Sequence, residues 1–426
     1  MRLSSAALSL LLIGLVAMPA NAQDLNSEVA ELRQLVAEMR EDYETRISDL
    51  EDRLARAERL ASGARRDAEE AIEVAEQTAI DQSAGSSAPN AFNPGLGAVL
   101  TGRYTDTDED SGFAIGEAEI NLKGSVDARF FGNLTIGLHE HEGDTEVHIE
   151  EAWLQTTDLP AGLSITGGRF FSAAGYLNSF HFHSDDFVDR PLPYQAFLGG
   201  RYGIDGLQAR WVAPTSLLFE LGTELNWGGA FPATSNGESS PGAWTLFAKL
   251  GGDIGDSNSW QLGVAQIQAD AIERSAGHGH AHEGEAAAET FTGDSDLTAV
   301  DFVWKWAPMG NANVRSFKLQ GEYFRRSEKG LFDGIDYNGD QTGWYLQGVW
   351  QFAPLWRVGM RFDTADADVE DPGRNSSRSS AMLDWSPSEF SRLRLQYTND
   401  RVLPETDHQW YLQYIMSLGA HGAHQF

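Results

Sequence analysis

Three short segments of the chain repeat one arrangement, His-x-His beside carboxylates: HEHEGD from His139, FHFHSDD from Phe180 and HGHAHEGE from His278. With 11 histidines and no cysteine, imidazole and carboxylate are the ligands left for a transition metal, and together they suit Zn²⁺. The candidate ligands are His278, His280, His282 and Glu283, joined by His139, His141, His181 and His183. Each segment also reads as a polar loop that holds nothing, and the Ala, Gly and Glu of residues 275–289 offer little to fix a rigid site. No cofactor is required; Zn²⁺ or another divalent cation is the candidate ligand.

A second group of residues could act through charge. Asp185, Asp186 and Asp189 fall in the same long segment as His181 and His183, while Arg357, Arg361, Arg392 and Arg394 alternate with apolar residues farther on. Glu117 and Glu119 alternate in the same way. If all of these line one lumen, an acidic loop against a basic wall sets a transverse field across a water-filled pore, the ring-of-charges route to selectivity. The alternative is that the charges offset one another in pairs.

Enzymatic chemistry has no foothold. No GxSxG, P-loop, HExxH or dinucleotide fingerprint is present, so no catalytic residue is assigned and the protein is not read as an enzyme. DYNGDQ, residues 336–341, has the carboxylates of a calcium loop but lacks its sixth-position Gly. A formal net charge of −32 excludes nucleic acid as a partner, because phosphate binding needs clustered Lys and Arg.

The elements that must position these residues follow from pattern. Residues 1–22 carry Arg2, an apolar run and the Ala20-Asn21-Ala22 cleavage signal of a secretory peptide. Residues 23–81 place Leu25, Val29, Leu32, Val36 and Met39 on a seam of three- and four-residue steps, an α-helical coiled coil expected in the periplasm. A single exposed helix cannot bury that seam, which implies a homo-oligomer, expected as a trimer. Residues 82–96, rich in Gly, Ser, Pro and Asn, are a linker.

From residue 97 to 426 the period becomes two. In WRVGMRFD, Trp356, Val358, Met360 and Phe362 alternate with Arg357, Gly359, Arg361 and Asp363. Sixteen such segments can be counted, joined alternately by tight turns (VDAR, DLPAG, APTS, FAPL) and by longer acidic loops. That asymmetry, Trp and Tyr near strand ends, and a last strand before Phe426 predict an all-β fold, a 16-stranded antiparallel transmembrane barrel of a bacterial outer membrane. Lipid and lipopolysaccharide are then its surroundings, and Phe426 resembles the signal read by the barrel assembly machinery. The segment from Ser172 to Gly203 follows the fifth strand, a position from which a loop can fold into the lumen.

GRFFSAAGYLN, FVDRPLPYQAFLGG, FTGDSDLTAVDFVWKWAP, DQTGWYLQGVWQF and QWYLQYIMSLGAHGAHQF resemble proteobacterial outer-membrane proteins of porin type, often labelled zinc-regulated or TonB-dependent outer-membrane receptors. The resemblance implies a passive channel for small hydrophilic solutes or ions, with zinc uptake or scavenging as an alternative. A TonB-dependent receptor needs a plug and 22 strands, more than the barrel segment can hold. Helical stalk followed by barrel more nearly resembles phosphate-selective porins and the barrels that tether the outer membrane to peptidoglycan.

Overall fold

The computed structural model describes residues 94–426 except 109–110, 142–143, 230, 233–240, 276–289, 367–375, 404 and 420–426, and describes Ala37 and Arg40 as helical. The chain divides into two compact units, Met1–Ala91 and Phe92–Phe426. The signal peptide, the coiled coil as a whole, His278, His280, His282, Glu283 and Phe426 lie outside the described residues.

The second unit is one antiparallel sheet. Its strands are β1 (Gly95–Asp106), β2 (Ser111–Ser125), β3 (Phe130–His141), β4 (Asp144–Thr156), β5 (Leu163–Phe171) and β6 (Gly203–Val212). They continue as β7 (Leu218–Asn226), β8 (Ala243–Ile254), β9 (Asn258–Ser275), β10 (Thr290–Trp306) and β11 (Ser316–Phe332). The sheet is completed by β12 (Ile335–Ala353), β13 (Trp356–Asp366), β14 (Ser376–Ser388), β15 (Ser391–Leu403) and β16 (Glu405–Gly419). Each strand pairs with its neighbours in sequence, and β1 pairs with β16 from Gly97 opposite Gly419 to Asp106 opposite Trp410. Closure leaves no free edge.

Period-two patterning sets the faces as expected. In β13, Trp356, Val358, Met360 and Phe362 are exposed on the outside, while Gly359, Arg361 and Asp363 are buried inside. β12 turns Gln341, Tyr345, Gln347 and Val349 inward and Trp344, Leu346 and Trp350 outward. An outer face so rich in exposed Leu, Val, Phe and Trp is a surface for hydrocarbon, not water. Aromatics gather near strand ends, where the Trp356 and Trp385 rings stack at 6.0 Å and those of Tyr397 and Trp410 lie 4.8 Å apart.

Local chemistry closes the hairpins. Between β2 and β3, Asp127 Oδ1 accepts from the N–H groups of Arg129 (2.7 Å) and Phe130 (3.0 Å). Between β11 and β12 only Asp333 and Gly334 intervene, at φ 48° and 79°, the Asp-Gly pair that a type I′ turn favours. That link is a hairpin of two residues, so β11 and β12 run to 17 and 19 residues against the 9–11 that cross a bilayer. DYNGDQ therefore lies within β12 and forms no calcium loop.

Among the described residues, the long descent into the barrel is residues 172–202, between β5 and β6. It carries the short helix α1 (Leu192–Leu198), which rests on β11, β12, β13 and β14. Tyr194, Phe197, Leu198 and Tyr202 are 0% exposed, clustered with Phe170, Phe247, Ile267, Leu297, Phe324 and Tyr345 of the wall. A Cβ at Gly343 would lie 2.9 Å from the Phe197 ring, so glycine permits that approach.

Leu395→Arg, on the outer face of β15, is expected to lower folding free energy in lipid vesicles by about 2–4 kcal/mol. Denaturant titration checks this, and a loss below about 0.5 kcal/mol would mean that the face does not meet hydrocarbon.

Candidate functional site

The inner loop brings its own backbone into the lumen, and side chains of the wall satisfy it. Glu322 of β11 accepts from the N–H groups of Tyr176 (3.1 Å) and Leu177 (3.0 Å) and from the hydroxyls of Tyr194 (2.9 Å) and Tyr345 (2.6 Å). Glu224 of β7 accepts from Ser172 Oγ (2.6 Å) and Ala173 N–H (2.9 Å). Asp363 Oδ2 accepts from Leu192 N–H at 2.9 Å, and Gln396 Oε1 from Val188 N–H at 2.7 Å. Arg394 and Arg361 donate to the carbonyls of Asp185 (2.7 Å) and Asp189 (2.6 Å).

Where an acidic loop was expected to face a basic wall across water, the two are in direct contact. Arg361 Nη2 lies 2.6 Å from Asp189 Oδ2, and Arg357 Nη1 lies 3.1 Å from Asp186 Oδ1. Lys318 also pairs with Asp186, while Asp185 pairs with Arg190 of its own loop at 2.5 Å. Asp384 of β14 gathers Arg357, Arg394 (2.8 Å) and Arg392 (4.0 Å). The predicted transverse field is thus replaced by a seam of ion pairs, because desolvated opposite charges bind each other when the loop can reach the wall.

Burial pushes the Asp186 carboxyl up, but Lys318 and Arg357 outweigh it and hold it below the usual range. Burial is likewise overcome at Asp189, by Arg361 and Arg378. At Asp185 burial prevails over Arg190, and the carboxyl is raised.

On the opposite side of the lumen, the loop meets β2 and β4 through histidine. His181 Nδ1 lies 3.1 Å from Glu119 Oε2 and 3.3 Å from Glu150 Oε2, and its Nε2 lies 3.0 Å from Glu151 Oε2. His183 Nδ1 lies 3.2 Å from Glu119 Oε1, and the two imidazoles stack at 5.5 Å. Burial lowers the affinity of His181 for a proton, yet hydrogen bonds to Glu119, Glu150 and Glu151 raise its pKa well above that of an ordinary imidazole. Arg201 donates from Nη1 to Glu150 Oε2 at 3.3 Å and lies between the rings of Phe171 and Phe182. A recess of about 500 Å³, lined by Glu117, His148, Glu150, Arg169, Arg201 and Asp205, borders this cluster at Glu150.

A bulge makes the cluster possible. Strand parity would send one of two adjacent glutamates outward, but Thr135 pairs with Glu151 and Ile136 with Ile149, leaving Glu150 as the extra residue. Both carboxylates then turn inward, with side chains 5% and 13% exposed.

The structure thus joins residues that the sequence had separated. His181 and His183, on the segment whose position allows a loop to fold into the lumen, are inside the barrel with Glu117 and Glu119, which were expected to line the pore. His139 and His141 belong to β3 rather than to a loop, and their side chains lie outside the described residues. His408 lies in β16 beside the Tyr397 hydroxyl at 2.8 Å. Glu150, Glu151, Arg201, Lys318, Glu322 and Asp384 were missed. HIEEAW signalled the first two as charge in a strand, but only pairing shows the bulge.

No protein-family profile matches the chain. An uncharacterized protein of Aquifex aeolicus is 28% identical over 360 residues, covering 76% of this chain and 72% of the relative. OmpTΔL8, a loop L8 deletion mutant of an outer membrane protein of Vibrio cholerae, superposes with a TM-score of 0.51 at 12% identity, over 76% of this chain and 99% of that one. An anion-selective porin from Comamonas acidovorans gives 0.51 at 11% identity, covering 76% and 99%. Salmonella typhi OmpF gives 0.50 at 14%, covering 76% and 97%. At these identities the likeness establishes the fold, a porin-like barrel.

Two outcomes test the anchoring. Arg361→Ala removes the nearer cation of Asp189 and the cation paired with Asp363 and should cost about 3 kcal/mol, read as protease cleavage within residues 172–202 of a barrel that remains folded. The depressed pKa values of Asp186 and Asp189 mean that their contribution is complete above the unfolded carboxylate value, about 3.9, and is lost as pH falls below it. Protease resistance of the loop should therefore stay level from pH 8 to about 5 and fall below about 3.5.

Proposed function

We propose that the protein is a porin-like channel of the bacterial outer membrane, through which small hydrophilic solutes or ions diffuse passively. What carries this reading is the inner loop: a closed barrel with an apolar exterior holds residues 172–202 inside by polar contacts with both sides of its wall. A barrel serving only as an anchor has no need of a loop fixed across its lumen. The fold shared with a porin of stated anion selectivity and with OmpF supports the same function.

Selectivity follows from where charge is left over. Along β12 to β15, Arg and Asp neutralise each other, whereas the cluster beside the recess at β2 and β4 sets Glu119, Glu150 and Glu151 against Arg201 and two histidines. Cations, zinc and other divalent ions among them, are the solutes such a recess gathers. Residues 23–81 are assigned as a periplasmic coiled coil joining barrels as a trimer, supported by the heptad seam.

The loop narrows the path, so the purified protein should give small conductance steps in planar bilayers, with a reversal potential favouring cations. Deleting residues 173–201 should raise conductance several-fold. A folded barrel that gives no steps in either form would sink the channel. Removal of residues 24–81 should convert the cross-linked trimer to a monomer, and an unchanged trimer would move the interface to the barrel.

A further inference from the structure

The structure assigns a metal centre to the lumen: we propose that His181 Nδ1, His183 Nδ1 and Glu119 bind one transition-metal cation of the zinc type, fastening the inner loop to β2. This deepens the cation-gathering part of the channel reading by naming a site, and it stands on binding rather than on conduction.

Spacing is the first support. Ligands about 2.05 Å from a tetrahedral zinc lie about 3.3 Å from one another. The corresponding separations are 3.1 Å from His181 Nδ1 to Glu119 Oε2 and 3.2 Å from His183 Nδ1 to Glu119 Oε1, one to each oxygen of the carboxylate. The candidate atoms of Glu119, His181 and His183 all lie within 4.8 Å of one another. One ion can therefore be reached without moving the backbone.

The surroundings of His181 are the second. A metal-bound histidine commonly gives its other N–H to a carboxylate, which fixes the ring and raises its basicity. His181 Nε2 meets Glu151 Oε2 at 3.0 Å, and Glu151 is itself held by Trp153 Nε1 (3.0 Å) and Asn133 Nδ2 (3.1 Å). Nδ1 is thereby the nitrogen left to coordinate.

Charge is the third. Glu119, Glu150 and Glu151 meet one permanent cation, Arg201, while His148 Nε2 stands 3.5 Å from Glu150 Oε1. With neutral imidazoles the group is short of positive charge, and a divalent ion supplies it with bonds to the same atoms. The competing occupant is a pair of protons, making imidazolium–carboxylate pairs.

The test uses the full chain folded in detergent, with Zn²⁺ followed by calorimetry and Co²⁺ by its visible absorption. His278→Ala/His280→Ala/His282→Ala removes the other histidine segment and should keep one equivalent with the intense bands of tetrahedral cobalt. His183→Ala/Glu119→Gln should lose that equivalent by at least about 100-fold, and Glu151→Gln should weaken it about 10- to 100-fold. Heat-modifiable gel mobility reports that each barrel is folded. Should the double variant fail to fold, anomalous zinc scattering from wild-type crystals decides, with a peak expected between His181, His183 and Glu119. Undiminished binding in the folded double variant, loss of all binding in the triple variant, or no peak would overturn the site. None of these results depends on whether the barrel conducts.

Discussion

An irregular backbone can be buried only if its N–H and C=O groups find partners, and residues 172–202 place such a backbone inside a closed sheet. The strands of the wall have already committed their main-chain groups to one another. Side chains must therefore meet the loop, which is why Glu224, Glu322, Asp363, Arg361, Arg394 and Gln396 all point inward at it. Much of the interior chemistry follows from holding this segment in place.

The loop is held differently on its two sides. Toward β12, β13 and β14 the cations are guanidinium groups, always charged, and their pairing with aspartate is permanent over the ordinary pH range. Toward β2 and β4 the partners of glutamate are imidazoles, which take a proton or a metal ion according to what is supplied. Between them Tyr194, Phe197 and Leu198 pack against Phe324 and Tyr345, so an apolar core lies within a lumen whose sequence pattern suggested water.

Much of the barrel was legible because lipid imposes a rule that each residue obeys locally. Val358, Met360 and Phe362 had to alternate with Gly359, Arg361 and Asp363 once one face met hydrocarbon, and the tight turns announced where each strand reversed. The rule failed where an exception costs little. β11 and β12 run on past the membrane because Asp333-Gly334 closes them late, and Glu150 and Glu151 share a face because a bulge resets parity. His181, His183, Glu117 and Glu119 were each named from the sequence, but their meeting was not, since Glu119 and His181 are 62 residues apart and come together only when the loop folds inward.

By itself, then, the sequence determined the strand count, the outward face of each strand and the set of side chains able to bind cations or pair with one another. These depend on neighbours two or four positions away, a distance at which pattern is physical constraint. Tertiary structure alone decided that the acidic loop touches the basic wall instead of facing it, and that two histidines and the glutamates of β2 and β4 form one cluster. Those outcomes turn on the path of a buried loop, which no local periodicity encodes.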